Sequence, residues 1–212
     1  MRKLGLAVAV LFALVASACI YYTHSIRRNA ESLRQNAYEL SLSTSNPTFA
    51  EIQRRFGHQL HLLGCDPKFG CAYEVAVSNR PIAALRIFRY AKLTGTFTVL
   101  NGVVATNMMD YAVTDGRHFN TTVHVQIDYW NRSDLFSVDP WGKSAPFDTN
   151  GLVMIGYASS PNEKRSVLSF NLSCMARPSG CDTVAELLPT VWQRSSNHVI
   201  SCRLPNHEGT IR

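Results

Sequence analysis

A chain of 212 residues with 46% hydrophobic and 17% charged residues is too apolar for a disordered protein and long enough to bury one core. Its formal net charge of +6 would suit a polyanionic partner, but Arg2, Lys3, Arg27 and Arg28 flank a single apolar run, and the rest of the chain holds 17 basic against 15 acidic residues. Nucleic-acid binding needs a clustered basic face, which this distribution does not offer, so no nucleic-acid partner is expected.

The apolar run comes first along the chain. Leu4 to Ile26 is 23 residues without a formal charge. A helix of that length covers about 35 Å, against about 30 Å of bilayer hydrocarbon. Within it, Ala16-Ser17-Ala18-Cys19-Ile20-Tyr21-Tyr22 admits three readings. Ala16-Ser17-Ala18 resembles a signal-peptidase site, Cys19 a lipid attachment point, and the whole a membrane span. A cleaved signal turns polar after its apolar centre. Here Ile20, Tyr21 and Tyr22 prolong the apolar run and put two phenols where a span would leave the bilayer. A lipoprotein signal wants an aliphatic residue three before the cysteine, where this chain has Ala16. The expectation is an uncleaved anchor over residues 1–28.

Flanking charges are nearly balanced, so the orientation has to be read from the cysteines. Apart from Cys19, they form two close pairs, Cys65/Cys71 and Cys174/Cys181, plus Cys202. Each pair brackets turn residues, Asp66-Pro67 and Gly70 in the first and Pro178-Ser179-Gly180 in the second. Paired structural cysteines belong in an oxidising compartment. A four-cysteine metal site normally has two to four residues between ligands, against five and six here. The expected topology is a single pass through the cytoplasmic membrane with the domain on the extracytoplasmic, periplasmic side.

Beyond the anchor, Ile26, Ala30, Leu33, Ala37 and Leu40 recur at helical spacing. This seam can pack on its own domain, or it can self-associate as a stalk through Ile26, Leu33 and Leu40. "SLSTSNP" (41–47) reads as a linker, closing a juxtamembrane segment of 29–47. Thr48-Phe49-Ala50-Glu51 has capping-box spacing and opens a short helix that stops at Gly57. Strands then dominate the domain, expected over 48–212. Residues 59–63 and 72–78 flank the first cysteine turn as a hairpin. Residues 96–100 and 103–113 flank Asn101-Gly102, whose turn positions need positive φ. Val123, Val125, Ile127 and Tyr129 alternate with Thr122, His124, Gln126 and Asp128 as a half-buried strand. Further strands are expected at 152–158, 167–173 and 199–204, with a helix from Thr183 to about Trp192 interrupted at Pro189. Residues 80–92 fit helix or strand alike. The fold class is mainly β (α+β): an antiparallel sheet or sandwich of hairpins with a few short helices, behind a transmembrane helix.

Chemistry is harder to find. No nucleophile elbow, phosphate-binding loop or paired-histidine zinc helix is present. His124 and Asp128 share a strand face, four apart, as a base and its orienting acid would, or simply as the wet side of a strand. His58 and His61 lack a third metal ligand nearby, and no cofactor is expected. Asp110 and Asp115 read as solvated. Glycosylation triplets at Asn120, Asn131 and Asn171 matter only in a secretory setting that uses them. Trp130 and Trp141 bracket a polar segment and are candidate binding aromatics. Cys202 alternates with Ile200 and Leu204, which points its sulfur into the core as a free thiol.

Two motifs carry a resemblance. "CDPKFGCAY", preceded by "TFAE" and a helix, and "GCDTVAELLPTVW" near the C-terminus resemble a group of small exported bacterial proteins with one N-terminal anchor. The resemblance covers the chain from the anchor through Trp192 and implies a topology but no activity. The expected function is a non-catalytic extracytoplasmic domain that binds a partner protein or an envelope component. Alternatives are a periplasmic enzyme, such as a hydrolase, with an unrecognised site, and an accessory subunit of a membrane assembly.

Overall fold

The computed structural model describes residues 2–43, 46–86, 88–114, 120–129, 136–139 and 148–191. Its first element is a single helix, α1 (Arg2–Ser41), 40 residues without a break. Composition divides it in two. Leu6, Leu11, Phe12, Leu14, Ile20 and Tyr21 are all exposed, whereas Ile26, Ala30, Leu33, Ala37 and Leu40 are buried in the domain. Among the described residues this is the one helix long and apolar enough to cross a membrane, with a mean hydropathy of 1.6 over its most apolar part. The seam therefore packs on the chain's own sheet. Ile26, Leu33 and Leu40, the residues a self-associating stalk would present, are at most 5% exposed. Burying each stabilises the fold by about 1.5–3 kcal/mol. The helix also crosses the expected boundary at residue 28, so the apolar segment and the domain share one continuous helix.

The far end of α1 is latched from several elements. Lys164 lies under the surface with its Nζ donating to the Ser41 carbonyl at 2.7 Å. This places a cation at the negative end of the helix, which has no basic residue in its own last turn. The same ammonium sits 4.7 Å from the centre of the Tyr157 ring, and the Tyr157 hydroxyl donates to the Ser43 carbonyl. Arg165 donates to the Tyr38 hydroxyl at 3.2 Å, and Arg55 pairs with Glu39 at 2.5 Å.

The chain then turns into α2 (Phe49–Phe56), capped as the sequence predicts: Thr48 and Glu51 exchange side-chain and backbone hydrogen bonds. The end of the linker is not free, since the Pro47 carbonyl accepts from the Val104 amide at 2.8 Å. Seven strands follow: β1 (His61–Asp66), β2 (Gly70–Ser78), β3 (Tyr90–Leu100), β4 (Val103–Thr114), β5 (Asn120–Asp128), β6 (Phe136–Asp139) and β7 (Asp148–Gly156). A short helix, α3 (Arg80–Ala83), leads from β2 towards β3, which resolves the ambiguous stretch. The first cysteine hairpin puts Cys65 directly opposite Cys71, and they are bonded. Asn101 and Gly102 both take positive φ, 53° and 81°, the turn that matches the twist of flanking strands.

Sheet order is β1-β2-β3-β4-β5-β7-β6. All neighbours are antiparallel except β5 and β7, which run parallel. The exception has a simple cause. After β5 the chain goes to the outer edge as β6 and returns as β7 between them, so β7 recovers the direction of β5. The sequence suggests neither β6 nor this inserted return.

One face of the sheet carries the core: Leu93, Phe97, Met109, Tyr111, Val113, Val123, Val125, Ile127, Val153 and Ile155 are fully or almost fully buried. The helices meet that face, α1 against β2 and β3, and a late helix, α5 (Val184–Leu187), against β5 and β7. A helix of 40 residues can do this because Gly95 stands where it crosses: a Cβ there would lie 3.3 Å from Leu33 and 3.1 Å from the Met109 sulfur.

The expected strand at 167–173 is absent. Ser160 and Glu163 form a second capping box with Pro161 in the first turn, which starts a helix, α4 (Pro161–Val167). A 3-10 turn follows at Leu172–Met175. Leu168, Phe170 and Leu172 are buried and Ser169, Asn171 and Ser173 half-buried, so the period of two is real, but an irregular segment carries it. Cys174 and Cys181 are bonded. The last helix starts where expected, capped by Thr183; α5 ends at Leu187, and after a break at Leu188 helix resumes over 189–191. The expected strand at 199–204, with Cys202, lies outside the described residues.

Candidate functional site

The second face of the sheet is covered by no helix among the described residues. Its side chains alternate with the core set along each strand, and register lines them up across strands. One row runs Thr94, Asp110, His124, Leu152; the next runs Glu74, Thr96, Met108, Gln126, Met154; a third runs Thr98, Thr106, Asp128. Nearly all of these are half-buried, as expected of a polar, hydroxyl-rich sheet surface in contact with water.

At its centre His124 Nδ1 lies 2.6 Å from Asp110 Oδ1. The two residues are direct partners in the β4–β5 register, which sets the pair by backbone geometry. Asp128, the acid expected to orient this histidine, is register-paired with Thr106 instead. Four residues along a strand separate it by about 13 Å. The acid beside His124 is therefore Asp110. The hydrogen bond to Asp110, reinforced by its negative charge, raises the His124 pKa above the ordinary histidine value, and partial burial opposes the shift. A second pair, Lys92 Nζ to Glu74 Oε1 at 3.2 Å, lies on the same face.

Chemically, the face presents a carboxylate-held imidazole, an ion pair, threonine hydroxyls and the Gln126 amide. Among the described residues Asp110 is the only partner of the His124 ring, and no group of three metal-ligating side chains forms. His58, in the turn Gly57–Gln59, and His61, at the start of β1, are both exposed. Asn171 is used internally: its Oδ1 accepts from the Ser173 amide and hydroxyl, at 3.3 and 2.6 Å. Asp115, Asn131, Trp130 and Trp141 lie outside the described residues.

The buried polar residues on the opposite side are structural. Asn79, wholly inaccessible, donates to the carbonyls of Arg89 and Met175 at 2.8 and 3.0 Å and accepts from the Ala91 amide at 2.7 Å. It ties the β2–β3 connection to the second disulfide segment. Burial holds the Tyr111 phenol far above the usual tyrosine range, and its hydroxyl donates to the Asn171 carbonyl at 3.3 Å.

No family model, no curated protein and no solved structure matches this chain. The reading of the site rests on its own geometry.

Proposed function

We propose that the chain is a single-pass protein of a bacterial cytoplasmic membrane, with a non-catalytic domain on the extracytoplasmic side. In this reading the open sheet face binds a partner protein or an envelope component. One observation carries it: among the described residues the seven-stranded sheet has helices on one face and a polar surface spanning five strands on the other. Hydroxyl-rich faces with a few fixed charges suit recognition, because each charge is already oriented by a neighbour and little side-chain entropy is lost on contact. The two bonded cysteine pairs favour an oxidising compartment, hence the outer side. The accessory-subunit reading is one form of this proposal, with the partner lying in the same membrane.

The rival enzyme reading has the His124–Asp110 pair in its favour, because a carboxylate beside an imidazole is half of a general-base arrangement. A raised pKa works against it, keeping more of the imidazole protonated and unable to accept a proton.

The test is a photocrosslinking amino acid placed in the full chain in cells. Positions Thr96 and Gln126 on the open face should yield one discrete adduct, and exposed Gln53 on α2 none. Equal labelling at all three positions, or none at any, would contradict an open-face partner.

A further inference from the structure

The structure gathers arginines that are scattered in the sequence at the end of the domain where α1 leaves it. Arg27 and Arg28 are exposed on α1, one turn beyond Thr23 and His24, and Ala176 lines the groove along this part of the helix with them. The neighbouring Arg177 is exposed. The β2–β3 connection joins the same corner: Asn79 donates to the Met175 carbonyl, and the Arg89 amide donates to the Pro178 carbonyl at 3.2 Å. That connection contributes exposed Arg80 and Arg86. Arg86 is held at φ 59°, a left-handed conformation more usual for asparagine or glycine.

Three acids described at this corner are already engaged. Asp182 pairs with Arg89, Glu31 with Arg34, and Glu186 accepts from the Asp182 amide at 2.7 Å. Arg27, Arg28, Arg80, Arg86 and Arg177 have no carboxylate partner among the described residues.

Distance along the helix says what they face. From Tyr21, the last strongly exposed aromatic of the apolar half, to Arg27 is six residues, a rise of about 9 Å. The polar layer outside the hydrocarbon core is about 5–8 Å deep on each side. With Tyr21 at the boundary, Arg27 and Arg28 stand at the level of the lipid phosphates, within reach of a guanidinium on its flexible stem. Ala176, and with it Arg177, is alongside.

We propose that these five arginines form a collar that binds the anionic phospholipid headgroups of the leaflet from which α1 emerges, seating the domain against the bilayer. Guanidinium groups match phosphate oxygens in geometry and charge. The collar rests on α1 being a retained anchor, so the experiment separates the two.

The full chain is placed in nanodiscs of phosphatidylcholine, with or without a third of the lipid replaced by phosphatidylglycerol, and amide hydrogen exchange is followed. Exchange in 83–86 and 176–180 should slow by about threefold or more in the anionic discs, given roughly fivefold in affinity for each basic residue at a charged surface. The core strands β3 and β4 should not change. The slowing should vanish in about 1 M salt, where charges are screened within about 3 Å. It should also vanish in the variant Arg80→Gln, Arg86→Asn, Arg177→Gln, and return when the three are replaced by lysine. Equal exchange in both lipids, with the chain incorporated, would overturn the collar and leave the anchor standing. Slowing that survives salt or the triple variant would overturn it too. Failure to co-elute with even the neutral discs would remove the anchor and the collar together.

Discussion

At the scale of single residues, the open face is organised by cross-strand pairs that no local pattern announces. His124 is visible in the sequence as a polar position on an alternating strand. Its partner is not, because Asp110 is 14 residues away and becomes its neighbour only through the β4–β5 register. Asp128 looks equivalent in sequence, since it shares the strand and the face, yet about 13 Å of strand separates it from the ring. The pair has a pH signature. A histidine whose folded pKa is raised contributes stability that is complete below about 6.5, the unfolded value, and is lost as pH rises through the folded value. Asp110→Asn should therefore bring the His124 titration, followed by NMR, down towards the ordinary value. It should also flatten the fall in stability above pH about 6.5. An unchanged titration would mean that the carboxylate does not hold the ring.

At the scale of elements, the signals that the sequence states plainly are those written in a few adjacent residues. The capping box at Thr48, the Asn101-Gly102 turn and the Asp66-Pro67 cysteine hairpin all fold where expected, because turn and cap chemistry is local. The stretch 167–173 misleads for a physical reason. Three large apolar residues at a period of two satisfy a buried irregular segment as well as a strand, and the capping box at Ser160 commits the preceding residues to a helix. β6 and the return of β7 are set by non-local pairing, which periodicity cannot encode. The seam of α1 was legible as a helix face, but what covers it could be read only from the fold. With Leu33 buried against the sheet, Leu33→Asp should lower the melting temperature by the same amount at every protein concentration. A loss confined to a dimer would revive the stalk. The two disulfides close loops of about seven and eight residues, worth about 2–2.5 kcal/mol each in the chain-entropy model. Breaking Cys174–Cys181 with a double serine variant should cost more than breaking Cys65–Cys71. The former pair is buried beside the Asn79 tie and the latter sits on an exposed edge hairpin. Denaturant titration of both variants would show the difference, and equal losses would argue against it.

At the scale of the whole molecule, α1 is the organising fact. Its first half is apolar and exposed, its second half is the central rod of the core, and there is no break between them. Cleavage after Ala18 would remove none of the buried core residues, the first of which is Ile26, so the stability of the domain does not reveal whether the span is kept. Membrane association does. The proposals for the open face and for the arginine collar both require the domain to remain tethered, with the corner that carries Arg27, Arg28 and Arg177 facing the bilayer. The decisive measurement is the intact mass of the chain recovered from carbonate-washed membranes. A retained anchor predicts a mass that includes residues 2–18 and a protein that resists extraction. A chain beginning at Cys19, with or without attached lipid, would contradict it.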